Sequence, residues 1–312
     1  DLPEMGQVAE EGAAGFKVFM PTEPPVSRKT CWEAVTTAAK TDLRLVIHAE
    51  DPNLFSHQTD LEDPAGFAHA RPPEAESAAA AFILEMALAA GAPVHICHVS
   101  AARTVDLIDT YRGWGTDVTA ETTPHFLLFN SDDYSDYGAS LKTTPPVRAP
   151  GTSELLWQAL ADGVIDMVVS DHFLGELPAP DDAVSFGSKE PGIAGLEVSL
   201  PLLYAKGVRE NRIDLARFVA ATAEAPAKIF GFDYCKGHIA PGMDADFVIF
   251  DPEAAWEVMP LADFSRAVTL PYLGWHLTGK VKRTFIRGVE VWDGSNILVN
   301  RGYGQFVQRI SA

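Results

Sequence analysis

Short apolar runs alternate with longer amphipathic ones over the first three quarters of the chain. The apolar runs lie near residues 15–20, 43–48, 93–99, 117–122 and 164–170. Each is too short for a typical helix and is bounded by turn-forming or polar residues, which predicts buried strands of a parallel sheet. The amphipathic stretches between them predict helices. One is opened by Thr30-Cys31-Trp32-Glu33 as a capping box and runs to about Lys40. A second runs from Glu74 to Ala90 and is closed by Gly91. Others are expected around 102–111, from a cap at Thr152 or Ser153 to Gly163, near 194–206 and near 213–231.

Strand–helix alternation of this kind predicts an α/β fold, a TIM-like (β/α) barrel with its polar residues gathered at the C-terminal ends of the strands. Eight strands close such a barrel and five are visible. The chain also opens at Asp1 without a methionine. The expectation is that three N-terminal βα units lie outside this sequence. Residues 51–73, with His57, His69, Arg71, Pro72 and Pro73, read as a long functional loop, and residues 173–192 as another loop. From Lys236 the pattern changes. Gly237 to Gly242 reads as a turn, 246–251 as a strand, and 281–292 as a hairpin across Arg287-Gly288. Residues 1–235 are thus expected to form the partial barrel and 236–312 a small β-domain.

Composition narrows the function. A chain of 312 residues with 47% hydrophobic residues has ample material for a large core. The net charge of −19 argues against nucleic acid or an anionic membrane as partner. Cys31, Cys97 and Cys235 form no CxxC pair, which suggests reduced thiols and a cytoplasmic location. No run of about 18 apolar residues is present, so no membrane-spanning helix is expected.

Four residues at the strand ends stand out. Lys17 lies inside the apolar run Phe16 to Met20, where a charged amine is costly unless paired or neutralised. A lysine there either snorkels to water or loses its proton, takes up CO2 and becomes a carbamate with two oxygens. His48, His98 and Asp171 end three later strands. Each alone has a plain structural reading, as a hydrogen-bonded histidine or a helix-capping aspartate. Together they form a ligand set suited to Zn2+ or a similar divalent ion. Two such ions, bridged by carboxylated Lys17, would share a hydroxide and polarise a carbonyl, with Asp171 also moving the proton to a leaving nitrogen.

At these residues the sequence resembles the amidohydrolase superfamily in its cyclic amidase branch of dihydroorotases, allantoinases, dihydropyrimidinases and hydantoinases. GFKVFM resembles the strand of the carboxylated lysine, HAED and HICHVS the two histidine strands, and VVSDH the aspartate strand. TTPHFLLF, KTTPPVRAP, GIAGLEVSLPLL, APAKIFG and KGHIAPGMDADFVIFDP follow in the family's order. The resemblance implies a binuclear zinc site in a barrel, a flanking β-sandwich and a homo-oligomer, a tetramer, acting on a small cyclic amide or ureide. Thr144 in LKTTPPVR, where dihydroorotases carry asparagine, and Ala194 in GIAGLE, where dihydropyrimidinases and hydantoinases carry asparagine, are most similar to allantoinases. By the same resemblance Thr144 and the backbone near Ala194 would contact the substrate ring, and His172 would line its pocket or support Asp171. One departure stands against this. The superfamily carries a His-x-His pair on its first barrel strand, and none of the nine histidines here forms one. The expectations that compete are therefore an allantoinase-like hydrolase, another cyclic amidase, and a non-catalytic subunit of the same fold.

Overall fold

The computed structural model describes residues 2–56, 60–174, 185–260 and 270–309. His57 and part of the 173–192 loop lie outside the described residues. Five strands, β1 (Gly15–Phe19), β2 (Arg44–His48), β3 (Val94–Ile96), β4 (Val118–Thr122) and β5 (Met167–Val168), form one parallel sheet in chain order. Helices occur in every interval between them, and those at Arg28–Thr41, Pro73–Ala90, Ala102–Gly113 and Thr152–Asp162 pack side by side in that order. This is the wall of a (β/α) barrel. Leu45, Ile47, Val94 and Ile96 from the strands are buried in one core with Ile83, Leu84, Ile108, Leu156 and Leu160 from the helices.

Several boundaries differ from expectation for identifiable reasons. The first of these helices starts at Arg28 and not Thr30, because Ser27 is the cap: its hydroxyl accepts from the Thr30 N–H at 3.0 Å. The helix expected to be capped by Thr152 or Ser153 is capped by Gly151 instead, at φ +90°. The 51–73 segment is not an open loop. Asp63 caps a helix at Pro64–Ala70, its carboxylate accepting from the Gly66 N–H at 2.8 Å, and Pro64 opens the first turn. β5 is shorter than 164–170 because Asp166 uses its side chain as well as its backbone on β4. Its Oδ2 accepts from the Ala120 N–H and from Arg112. β3 stops at Ile96 because His98 turns into the left-handed region at φ +35°.

The C-terminal strands β6 (Phe247–Glu257), β7 (His276–Ile286) and β8 (Val289–Trp292) form an antiparallel sheet. The expected hairpin is present. Arg287 and Gly288 both have positive φ, as a two-residue type I′ turn needs. Tyr204, which continues the Leu196–Leu203 helix, seats this sheet on the barrel by packing on Phe250 with ring centroids 4.7 Å apart. Gly279 makes room for it. A Cβ there would lie 2.4 Å from Tyr204 Cδ1, on a backbone at φ +110°. Gly279→Ala is expected to destabilise the protein by about 1–3 kcal/mol, read as a lower thermal midpoint.

Candidate active site

The parallel register brings the N-terminal candidates side by side. Lys17 pairs with Val46 and Phe19 with His48. The His48 ring then sits between Phe19, at 4.2 Å, and His98, at 4.5 Å between centroids. Of the two settings that the sequence allows for Lys17, the structure shows the exposed one. β1 pairs only with β2 among the described residues, so the strand is half open and Lys17 is exposed. Its ammonium reaches across the sheet and donates to Cys97 Sγ at 2.8 Å. Burial, and then the charge of Glu121, push the Cys97 thiol up to about 12, so it stays protonated.

His48 is buried and its Nε2 lies 2.7 Å from Glu50 Oε2. Glu50 is itself fully buried and is held by Arg71, whose Nε donates to Oε1 at 3.2 Å and whose Nη2 donates to Oε2. Burial alone would raise the Glu50 carboxyl, but the hydrogen bond with His48 and the charge of Arg71 hold it below the usual range. An ionised Glu50 accepts from the Nε2–H of His48, so that in the neutral ring Nδ1 carries the lone pair. His98 is also buried, and its Nδ1 has no partner. Burial first, then the nearby His48 and Lys17 charges, push its pKa well down, so it is a neutral imidazole.

Asp171 follows β5 at φ +45°, a second non-glycine residue in the left-handed region at the same end of the sheet. Such strain is held only where surrounding contacts enforce it, and it concentrates at functional sites. The residue is exposed on its solvent side. Its carboxyl is nevertheless raised above the usual range by the protein packed around it and by Glu121, with Lys17 and His48 pulling it back. Asp171 is therefore within electrostatic reach of two of the other candidates.

The proposed substrate residues form a second group. His172 bridges to Ile193 beside buried Ala194, and its Nδ1 accepts from the Leu196 N–H at 3.2 Å. The Gly192 N–H donates to the Lys142 carbonyl at 2.8 Å, two residues before the half-buried Thr144. His172 thus follows Asp171 directly while tying down the start of the Leu196–Leu203 helix.

Sequence reading passed over Glu50, Arg71, Cys97, Glu121 and His125. Glu50 was legible as the acid two residues after His48. Burial pushes the His125 pKa down to about 3, and its Nε2 is unpartnered. His95 belongs to a different contact. Its Nδ1 lies 2.8 Å from Thr119 Oγ1, and its Nε2 lies 3.1 Å from Glu121 but outside hydrogen-bond geometry.

Among the described residues no three His, Cys, Asp or Glu side chains converge tightly enough to hold a metal by themselves. The donor types at this end of the sheet, two imidazoles, one with an unpaired buried Nδ1 and one with Nε2 already engaged, and one carboxylate, are those that a divalent cation takes.

A profile of the amidohydrolase family matches residues 7–291. An allantoinase of Solibacter usitatus (strain Ellin6076) is 32% identical over 319 residues, covering 99% of this chain and 69% of the relative. A dihydroorotase of Halobacterium salinarum (strain ATCC 700922 / JCM 11081 / NRC-1) is 35% identical over 266 residues, covering 85% of this chain and 61% of the relative. The solved L-hydantoinase (dihydropyrimidinase) from Arthrobacter aurescens superposes with a TM-score of 0.87 at 31% identity, covering 99% of this chain and 71% of that one. The chain therefore spans about two thirds of the length of these proteins.

Proposed function

The chain belongs to the amidohydrolase family, and from that membership we propose that it hydrolyses a cyclic amide or ureide, with allantoin opened to allantoate as the favoured reaction. What supports the proposal is that Lys17 in β1, His48 at the end of β2, His98 just after β3 and Asp171 just after β5 all lie toward the C-terminal side of one parallel sheet, with the His48 and His98 rings in contact. That is where barrel enzymes place their chemistry. Two divalent metal ions, zinc in our reading, would supply Lewis-acid polarisation of the ring carbonyl and a lowered pKa of water.

The chain's own residues have separate tasks in this scheme. Lys17, once carboxylated by CO2, offers two anionic oxygens. His48 offers Nδ1, because Nε2 is committed to Glu50. Asp171 takes a proton from the attacking water and delivers it to the ring nitrogen as the C–N bond breaks. Thr144 and the backbone at Ala194 hold the ring. His172, with Nδ1 engaged by Leu196, presents its other ring nitrogen to the substrate. We take residues 1–235 as the catalytic unit and 236–312 as part of the β-domain, in a cytoplasmic homo-oligomer like that implied by the family resemblance. Among the described residues no helix is long and apolar enough to cross a membrane.

Thr144 and Ala194 favour allantoin over the other rings. The test is a panel of allantoin, a substituted hydantoin, dihydrouracil and dihydroorotate, assayed with Zn2+ and bicarbonate. Allantoin is expected to show the highest kcat/KM. Turnover of the hydantoin with allantoin inert would overturn the substrate choice. No turnover of any ring by a folded, zinc-loaded protein would favour the non-catalytic subunit.

A further inference from the structure

We propose that Glu50 and Arg71 are positioning residues that fix the His48 ring for metal binding and connect it to the Thr144 loop. The inference rests on the metal-dependent reading above. Glu50 is fully buried, with both carboxylate oxygens engaged. Oε1 accepts from Arg71 Nε at 3.2 Å. Oε2 accepts from Arg71 Nη2 and from His48 Nε2, the latter at 2.7 Å. A buried ion pair is a poor device for stability alone, since an apolar pair of similar volume often serves as well or better. What this pair does, and an apolar pair cannot, is choose the protonated nitrogen of His48 and hold the ring in one orientation.

Arg71 is itself held on three sides. Its guanidinium lies over the Phe55 ring at 4.3 Å, which sets the plane of the fork. Its side chain reaches Glu50. Its backbone carbonyl accepts from Arg148 Nη1 at 2.6 Å. Arg148 closes the segment Thr143 to Arg148 that carries Thr144, so the substrate loop is linked through Arg71 and Glu50 to His48. His98 differs, because its Nδ1 has no protein partner. His48 is thus the imidazole held in place before a metal arrives.

The test uses Glu50→Gln and the double variant Glu50→Gln/Arg71→Gln, which removes both charges together and so avoids leaving an unpaired, half-buried guanidinium. Two quantities are read. One is the Zn2+ affinity, by competition with a chromophoric chelator. The other is the ring-nitrogen chemical shifts of His48 in metal-free protein, which report its tautomer whatever the activity. Wild type is expected to show a single Nε2–H tautomer. The variants are expected to show a mixture and to bind Zn2+ about 10- to 100-fold more weakly. Zinc bound by wild type, with both variants keeping the tautomer and an affinity within about twofold, would overturn the positioning role alone. Failure of the wild type to bind zinc would overturn it together with the metal-dependent reading.

Discussion

Asparagine in place of Asp171 is expected to lower kcat for ring opening by about 100- to 10,000-fold while the fold survives. The substitution suits the site because the backbone there is left-handed, at φ +45°, and asparagine is among the few side chains that adopt this region without large strain. The amide keeps the size of the carboxylate but cannot take a proton from water and pass it to the leaving nitrogen. An alanine would add backbone strain and confuse the two effects. The check is steady-state kinetics beside a thermal melt and metal content. A kcat within about tenfold of wild type, with metal retained, would remove Asp171 from the proton-transfer role. A large loss accompanied by loss of metal would assign it to binding the ion more than to moving the proton. Cys97, in contact with Lys17, supplies a contrast. Its thiol is pushed up to about 12 and remains protonated, which leaves it a poor candidate for proton transfer near neutral pH.

Much of the barrel was legible because strand and helix periods differ so sharply. Leu45 and Ile47, or Val94 and Ile96, give short apolar runs that no amphipathic helix would tolerate. The four candidate ligands stand out because three of them, His48, His98 and Asp171, follow or end such a run and the fourth, Lys17, is a charge inside one. What the sequence hid was local geometry. Ser27 and Gly151 displaced Thr30 and Thr152 as caps because a cap depends on where the chain enters the helix, which the apolar period does not record. The apolar neighbours of Lys17 leave both a desolvated and a snorkelling side chain open, and in the structure the residue is exposed and its ammonium reaches Cys97. Glu50 and Arg71 are 21 residues apart and separated by a Pro- and His-bearing stretch, so their pairing could not be read from spacing. The helix at Pro64–Ala70 that helps bring Arg71 back was signalled by Asp63-Pro64, a cap followed by a first-turn proline.

Arg148→Met is expected to cost about 3–5 kcal/mol of stability. Arg148 and Glu76 are both buried, with side chains 5% and 3% exposed and 3.3 Å between charged atoms. The Glu76 carboxylate does more than pair with Arg148. It accepts from the Ala101 N–H at 3.0 Å, the Ser100 N–H at 3.2 Å and the Ser100 hydroxyl. The Ala102–Gly113 helix has no side-chain cap of its own, so this carboxylate, lent by the neighbouring Pro73–Ala90 helix, satisfies the donors at its start. Arg148 completes the cluster through Ser100 Oγ at 2.9 Å. Removing the guanidinium leaves a buried carboxylate with two backbone N–H groups and the Ser100 hydroxyl but no counter-charge, whereas Glu76→Gln/Arg148→Met removes both charges and should recover part of the loss. Denaturant unfolding of the two variants measures this. Equal midpoints for Arg148→Met and wild type would show that the pair contributes nothing. A double variant no better than Arg148→Met alone would place the cost in the lost bonds to Ser100 and Arg71 and not in the stranded charge.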